Sequence, residues 1–194
     1  MRIISGKAKG TKISTIKSTT TRPTLDRVKE SLFNIIQYDL NNTVVLDLFA
    51  GSGALGIEAL SRGANKAVFC DANLECIKVI KQNLEKTHLT SNAIIYNKDY
   101  KECLKELSKN NIKLDIVFID PPYKKNIAVD ATKTIMKLEL LNKNGFIVIE
   151  TDEINRDENE LNELLNKDGN KLFIKSKRKY GRANLIFLSV IEEK

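Results

Sequence analysis

Histidine and cysteine are scarce in this chain of 194 residues, which narrows the chemistry open to it. His88 is the only histidine, so histidine zinc sites and Ser-His-Asp catalysis have little support. The three cysteines are odd in number and have no C-x-x-C spacing, which argues against a disulfide framework and favours a reducing compartment. We expect no metal site, and we expect core positions for Cys70, Cys76 and Cys103.

Long apolar runs are also missing. No stretch of about 18 apolar residues occurs, and the N-terminus lacks the apolar segment of a secretory signal, so we expect a cytoplasmic protein. The length suits one buried core with a small appendage. We therefore predict a basic N-terminal hairpin and linker over residues 1–20 and a main domain over residues 21–194.

Acidic residues are rare near the N-terminus. The whole chain has a net charge of +7, and its first 30 residues hold eight cations against only Asp26 and Glu30. Positive charge returns over residues 175–182, after an acidic stretch over residues 150–168. This distribution favours a polyanionic partner that contacts both ends of the chain.

Apolar runs alternate with helical patterns along most of the chain. The runs are continuously apolar, which is typical of parallel strands buried on both faces between helices. We predict an α/β fold with a mostly parallel sheet, a small β-hairpin at the N-terminus and an antiparallel hairpin at the C-terminus. The predicted strands cover residues 44–49, 67–70, 93–96, 114–119, 146–150, 171–176 and 185–191; the predicted helices cover residues 25–38, 54–62, 73–86, 100–107, 129–138 and 158–165.

Two of the three prolines follow Asp120 at the end of a predicted strand, and Tyr123 comes next. Pro121 and Pro122 have no backbone donor and a fixed φ, so the strand must stop there. A carboxylate, a rigid carbonyl and an aromatic ring then converge on one corner. Asp120 and the Pro121 carbonyl can accept hydrogen bonds from an exocyclic amine, while the Tyr123 ring stacks on the base that carries it.

A glycine loop lies between the first main strand and its helix. Residues 47–56 contain the pattern G-x-G-x-x-G, and Asp71 ends the next strand, where a carboxylate can bind a ribose. Asp47 precedes the loop, where an anion disfavours a pyrophosphate and favours an ammonium group, so we predict S-adenosylmethionine rather than a nicotinamide. Asp99 follows the third strand; it either accepts a bond from the adenine amine or caps the next helix with Glu102, and the two roles are compatible.

These motifs together resemble those of the bacterial 16S rRNA guanine-N2 methyltransferase family. The resemblance rests on M-R-I-I-S-G at the start, R-P-T at residues 22–24, D-L-F-A-G-S-G-A-L-G at residues 47–56 and D-P-P-Y at residues 120–123. It implies a seven-stranded, Rossmann-like class I methyltransferase fold, S-adenosylmethionine as donor, and the 2-amino group of a guanine in 16S rRNA as acceptor. One departure is Asn73, where relatives often have an acidic residue.

The resemblance and the motifs together define three sets of expected site residues. The catalytic set is Asp120, Pro121 and Tyr123. The cofactor-binding set is Thr24, Asp47, Phe49, Gly51, Ser52, Gly53, Asp71 and Asp99. The RNA-binding set is Arg2, Lys7, Lys9, Lys12, Arg22 and Arg27, of which Arg22 has two further possible roles, bracing the first helix or approaching the cofactor carboxylate.

Other functions share parts of this pattern. The D-P-P-Y motif also occurs in amino methyltransferases that act on adenine in DNA, or the enzyme could act on another RNA; no extra target-recognition domain is evident. A nicotinamide-dependent dehydrogenase would use the glycine loop but not Tyr123, and a non-catalytic RNA-binding protein would not need Asp120. We expect 16S rRNA, in a small-subunit particle, as the partner, and a monomeric protein without a membrane contact.

Overall fold

A seven-stranded sheet with helices on both faces forms the protein. The structure is a computed structural model that describes residues 1–16, 23–122, 127–166, 171–181 and 183–191, with the backbone alone for residues 23–26. The strands are β1 Val44–Asp47, β2 Lys66–Cys70, β3 Ala93–Tyr96, β4 Leu114–Ile119, β5 Leu141–Thr151, β6 Leu172–Tyr180 and β7 Ala183–Val190. The helices are α1 Pro23–Ile35, α2 Ala54–Ser61, α3 Leu74–Thr87, α4 Tyr100–Lys109, α5 Ile127–Lys137 and α6 Ile154–Leu165.

The strand order is β3-β2-β1-β4-β5-β7-β6. The first five strands are parallel, and β7 pairs antiparallel with both β5 and β6, so the mostly parallel sheet and the C-terminal hairpin are confirmed. Two buried clusters cover the two faces of the sheet. One contains residues of α1, α2 and α3, and the other contains residues of α4, α5 and α6. All three cysteines are buried and free, as predicted. No helix in the described part of the chain is long and apolar enough to cross a membrane.

Several element boundaries differ from the predicted ones. Helix α1 begins at Pro23 and ends at Ile35, three residues before the predicted end. Helix α6 begins at Ile154 rather than Glu158, because the Thr151 hydroxyl accepts a bond from the Glu153 amide and donates to Asp157. Strand β6 continues to Tyr180, four residues beyond the prediction, because its basic residues keep pairing with β7.

The N-terminal hairpin is small, as predicted, and it packs on helix α2. Arg2 and Lys12 form a single antiparallel bridge. A β-carbon on Gly6 would lie 1.8 Å from the Ser61 carbonyl oxygen, so the hairpin approaches the end of α2 as closely as only glycine allows. The Ser61 hydroxyl accepts a bond from the Ala8 amide at 2.9 Å and donates one to the Ser5 carbonyl at 2.6 Å.

Glu58, in the middle of α2, is the centre of this attachment. Its side chain is fully buried, and its carboxylate oxygens accept bonds from the Ile4 amide at 2.8 Å and the Ser5 amide at 3.0 Å. The same carboxylate pairs with Lys29 of α1 at 3.2 Å and with Arg62 at 2.8 Å. One buried anion therefore joins the N-terminal hairpin, α1 and α2.

Replacing Glu58 with alanine is expected to lower the free energy of unfolding by about 3–5 kcal/mol, because the buried Lys29 ammonium loses its counter-charge and two amides lose their acceptor, although Lys29 still donates to the Arg2 carbonyl. Chemical denaturation measures the loss. Glu75→Ala is the matched control, because its pair with Lys78 is exposed and should contribute little. Equal stabilities for the two variants would contradict this role of Glu58.

Candidate active site

Carboxylates lie at the carboxyl ends of five neighbouring strands, or shortly after them, along one edge of the sheet. Read in spatial order from β3 to β5, they are Asp99, Asp71, Asp47, Asp120 and Glu150. These strands are parallel, so their carboxyl ends all reach this edge. The strand order reverses between β1 and β4, and α/β sheets bind their ligands in the crevice at such a switch point.

A cavity of about 270 Å³ opens at that switch point. Its lining includes five residues predicted for the site: Asp47, Phe49, Gly51, Ser52 and Asp120. Helix α1 and the N-terminal segment form the opposite wall, and Glu150 closes the side towards β5. Asp120, the carboxylate predicted to be catalytic, and the glycine loop thus line the same cavity.

The glycine loop leaves its backbone open to a ligand. Gly51 has a φ of +53°, and nothing lies within 4 Å of where its β-carbon would be, whereas its amide donates to Asp71 at 2.8 Å. Gly53, at φ +77°, precedes the first residue of α2. A β-carbon on Gly56 would lie 2.3 Å from the Phe69 ring, so this glycine is needed for α2 to pack on β2.

Asp47 is buried beneath the loop. Its carboxylate accepts a bond from the Gly56 amide at 3.0 Å, within the first turn of α2. Burial raises the pKa of Asp47 to about 7, and the charges of Asp120 and Asp71 also raise it, while the Gly56 bond lowers it. At neutral pH, the neutral and charged forms of this carboxyl group are therefore similar in free energy.

Asp120 and Glu150 form a second carboxyl pair. Ile119 and Ile149 are in register at the ends of β4 and β5, and Asp120 and Glu150 are the next residue of each chain. Solvent reaches the Asp120 side chain through the cavity. Protein atoms nevertheless surround the carboxyl group, and this desolvation raises its pKa to about 6. Burial, followed by the charge of Asp120, raises the pKa of Glu150 to about 8. The two groups repel each other when both are ionised.

Asp71 and Asp99 lie next along the edge, outside the lining of the cavity. Asp71 accepts bonds from the amides of Gly51 and Asn73, each at 2.8 Å. Asn73 caps α3 through a bond from the Glu75 amide, so the departure from the family pattern serves as a helix cap. Asp99 caps α4 through the Lys101 amide, which confirms the capping role.

Three predicted site residues cannot be placed. Tyr123 and Arg22 lie outside the described residues, and for Thr24 only the helical backbone is described. Pro121 follows Asp120 without regular secondary structure, as expected of a strand that ends at a proline. The roles assigned to Pro121 and to these three residues stay predictions.

The predicted RNA-binding cations are exposed wherever their side chains are described. These are Arg2, Lys7, Lys9, Lys12 and Arg27. The tip of the hairpin is remote from the glycine loop, because the Lys7 amide donates to the Ser61 carbonyl at the C-terminal end of α2. Eight helical residues separate that end from the loop, a distance of roughly 12 Å at 1.5 Å per residue.

Sequence reasoning missed two residues of the site. Glu150 comes directly after the apolar residues of β5, as Asp120 comes directly after those of β4, so the same signal could have identified it. Asn83 is fully buried in α3; its amide donates to the Ser14 and Ser52 carbonyls, each at 2.9 Å, and its oxygen accepts from the Ser14 amide at 2.8 Å. It joins the glycine loop to the N-terminal wall of the cavity, and no sequence signal marks it.

Comparison with known proteins identifies the family of this chain. Residues 1–189 match the family described as conserved hypothetical protein 95. YlbH of Bacillus subtilis, named an rRNA methyltransferase, is 42% identical over 78% of this chain and 83% of its own length. Ribosomal RNA small subunit methyltransferase D of Haemophilus influenzae is 38% identical over 78% of this chain and 79% of its own. The chain belongs to this family of rRNA methyltransferases.

A solved structure from Escherichia coli, titled as a methyltransferase, has the same fold. It superimposes with a TM-score of 0.81 at 26% identity and covers 100% of this chain and 99% of its own. The seven-stranded class I methyltransferase architecture predicted for this family member is thereby confirmed.

Asp47→Asn is expected to stabilise the unliganded protein at alkaline pH, by up to about 4 kcal/mol at pH 8. A carboxyl whose folded-state pKa is raised binds its proton more tightly in the folded state, so its stabilising contribution is complete below about pH 4 and is lost as the pH rises through about 7. Asparagine keeps an oxygen for the Gly56 amide but never ionises.

Thermal unfolding of both proteins between pH 4 and pH 8 tests this. The two curves should converge towards pH 4 and separate as the pH rises. Asp152→Asn, which changes an exposed carboxylate, is the control. Parallel curves for Asp47→Asn and the unsubstituted protein would refute the assignment.

Proposed function

We propose that this methyltransferase transfers a methyl group from S-adenosylmethionine to the exocyclic 2-amino group of a guanine in 16S rRNA. One observation carries the proposal: Asp120, which can accept a hydrogen bond from an amine, lines the same cavity as Gly51 and Ser52 of the glycine loop. Membership of the rRNA methyltransferase family supports the choice of polymer.

The edge of the sheet fits the proposed methyl donor. Asp71 would accept the ribose hydroxyls, and Asp99 the adenine amine, next to the open backbone of Gly51. Asp47 and Asp120 favour a cation at the switch point, which suits the ammonium and sulfonium groups and disfavours a pyrophosphate. When bound, S-adenosylmethionine supplies an electrophilic methyl group.

Asp120 would hold the acceptor amine. A base amine is a poor nucleophile because its lone pair is delocalised into the ring, so two oxygen acceptors, Asp120 and the Pro121 carbonyl, would orient it. The nitrogen gains the methyl group and loses a proton. Burial raises the pKa of Asp120, which makes its carboxylate a stronger base than an ordinary aspartate and suits it to receive that proton. Tyr123 would stack on the base.

The choice of guanine rests on the family and not on the geometry of Asp120, which would also accept an adenine amine. The relative from Haemophilus influenzae is named for the small ribosomal subunit, and we extend that substrate to this chain. We further propose that the enzyme acts as a monomer on a partly assembled small-subunit particle in the cytoplasm. The exposed Arg2, Lys12 and Arg27 would contact phosphates while the base is turned into the cavity.

Asp120→Asn is expected to reduce methyl transfer by at least 100-fold and to weaken S-adenosylmethionine binding much less, because Asp47 still favours the cationic donor. Labelled S-adenosylmethionine with unmodified small-subunit particles, naked 16S rRNA or duplex DNA measures transfer, and calorimetry measures binding. The control is Asp152→Asn, which lies outside the cavity lining. Transfer to adenine in DNA alone would overturn the proposed substrate, and full activity of Asp120→Asn would overturn the proposed role.

Asn83→Ala is expected to weaken S-adenosylmethionine binding by about tenfold, because the Ser52 carbonyl loses a bond worth about 1.4 kcal/mol and the loop is no longer held. Titration calorimetry measures the change. Asn110→Ala, which removes an exposed bond to Glu106, is the control and should bind normally. Unchanged affinity in Asn83→Ala would show that the loop keeps its shape without this bond.

A further inference from the structure

The hairpin of β6 and β7 has positive charge and no acidic residue between Leu172 and Gly181 or between Ala183 and Val190. Four cations of β6 are exposed, namely Lys175, Lys177, Arg178 and Lys179. The proposed function does not account for them. Lysines on an edge strand can also serve only to prevent aggregation between strands. The positions of these cations relative to the cavity decide which of them can bind a ligand instead.

Strand register places Arg178 beside the proposed active site. Glu150 of β5 pairs with Leu185 of β7, and Leu185 pairs with Arg178 of β6. Paired residues point to the same face of a sheet, so the three form one row. Two strand spacings of about 4.8 Å put the Arg178 backbone roughly 10 Å from that of Glu150, a lining residue of the cavity.

The row lies on the face that carries α1. Leu185 belongs to the buried cluster that contains Val28 and Leu32 of α1, and these two residues also line the cavity. Lys177 is on the opposite face, where it pairs with Glu158 of α6 at 2.6 Å. The Arg178 guanidinium donates to the Lys177 carbonyl at 2.9 Å, and since a guanidinium has five N–H donors it can also bind another acceptor.

The C-terminal end of β6 lies at the same edge of the sheet as the site carboxylates. Lys179 is on the same face as Lys177, but it lies at the carboxyl end of the parallel strands: it pairs with Asn184, which in turn pairs with Thr151 at the end of β5. The tip of the N-terminal hairpin lies instead at the far end of α2, as the Lys7 bond to Ser61 shows. Arg178 and Lys179 therefore lie nearer to the row of site carboxylates than Lys7 does.

We infer that Arg178 and Lys179 bind the phosphodiester backbone of the substrate RNA close to the target nucleotide. The inference rests on the proposed function and adds a second contact surface to it. A nucleotide turned into the cavity brings its flanking phosphates to the rim, where a guanidinium can bind a phosphate through two parallel bonds. The carboxylates inside the cavity repel phosphates, so cations are needed at the rim.

The test compares two double variants with equal charge changes. Arg178→Gln with Lys179→Gln removes the proposed phosphate-binding cations. Lys109→Gln with Lys137→Gln is the control, because these exposed lysines are the last residues of α4 and α5, which run back to the opposite edge of the sheet. The RNA affinity of each protein is measured over a range of salt concentrations.

The β6 variant should reduce the slope of log affinity against log salt by about 1.4–1.8, at 0.7–0.9 for each phosphate that the protein no longer binds. Its KM for 16S rRNA should rise at least tenfold, while kcat, S-adenosylmethionine affinity and melting temperature stay as in the control. Equal slopes for the two double variants would overturn the inference. If the unsubstituted protein fails to methylate 16S rRNA, the proposed function fails instead, so the two failures are distinguishable.

Discussion

The buried carboxylate of Glu58 is the interaction on which the arrangement of the site depends. An ionised group loses several kcal/mol of hydration on burial, and only several strong partners can offset that loss. Glu58 has four: the Ile4 and Ser5 amides, Lys29 and Arg62. These partners come from the N-terminal hairpin, α1 and the end of α2. The hydrogen bonds and ion pairs of one anion therefore fix the positions of three segments.

Those segments form one side of the cavity. Met1, Thr15 and Ile16 line it from the N-terminal segment, and Lys29 contributes from α1. Helix α2, which carries Glu58, begins at the glycine loop on the other side. Asn83 adds a second connection, since one amide side chain binds both Ser14 and Ser52. The wall proposed to face RNA and the loop proposed to face the methyl donor are thus held by the same buried polar groups, and a displacement of either wall strains the other.

The sequence predicts the parts of this protein that local patterns control. Apolar runs located every strand, and the D-P-P-Y and glycine motifs located Asp120 and Gly51 in one cavity. Glu58 and Asn83 escaped prediction because a polar residue on a helix is usually exposed, and only the folded chain brings the backbone groups of the N-terminal segment to them. The early start of α6 was not predicted for a related reason. It depends on the Thr151 hydroxyl, which accepts a hydrogen bond from the amide of Glu153.

The carboxyl groups of the cavity also explain which ligands it should exclude. Burial raises the pKa values of Asp47, Asp120 and Glu150. Ionising these neighbouring groups together therefore raises the free energy of the folded protein. A cation removes that cost by favouring the charged forms, whereas a pyrophosphate increases it. A nicotinamide dinucleotide would place its phosphates at the Gly51 loop, directly above Asp47. The carboxylate beneath this loop therefore supports the proposal of a donor whose reactive end is positive.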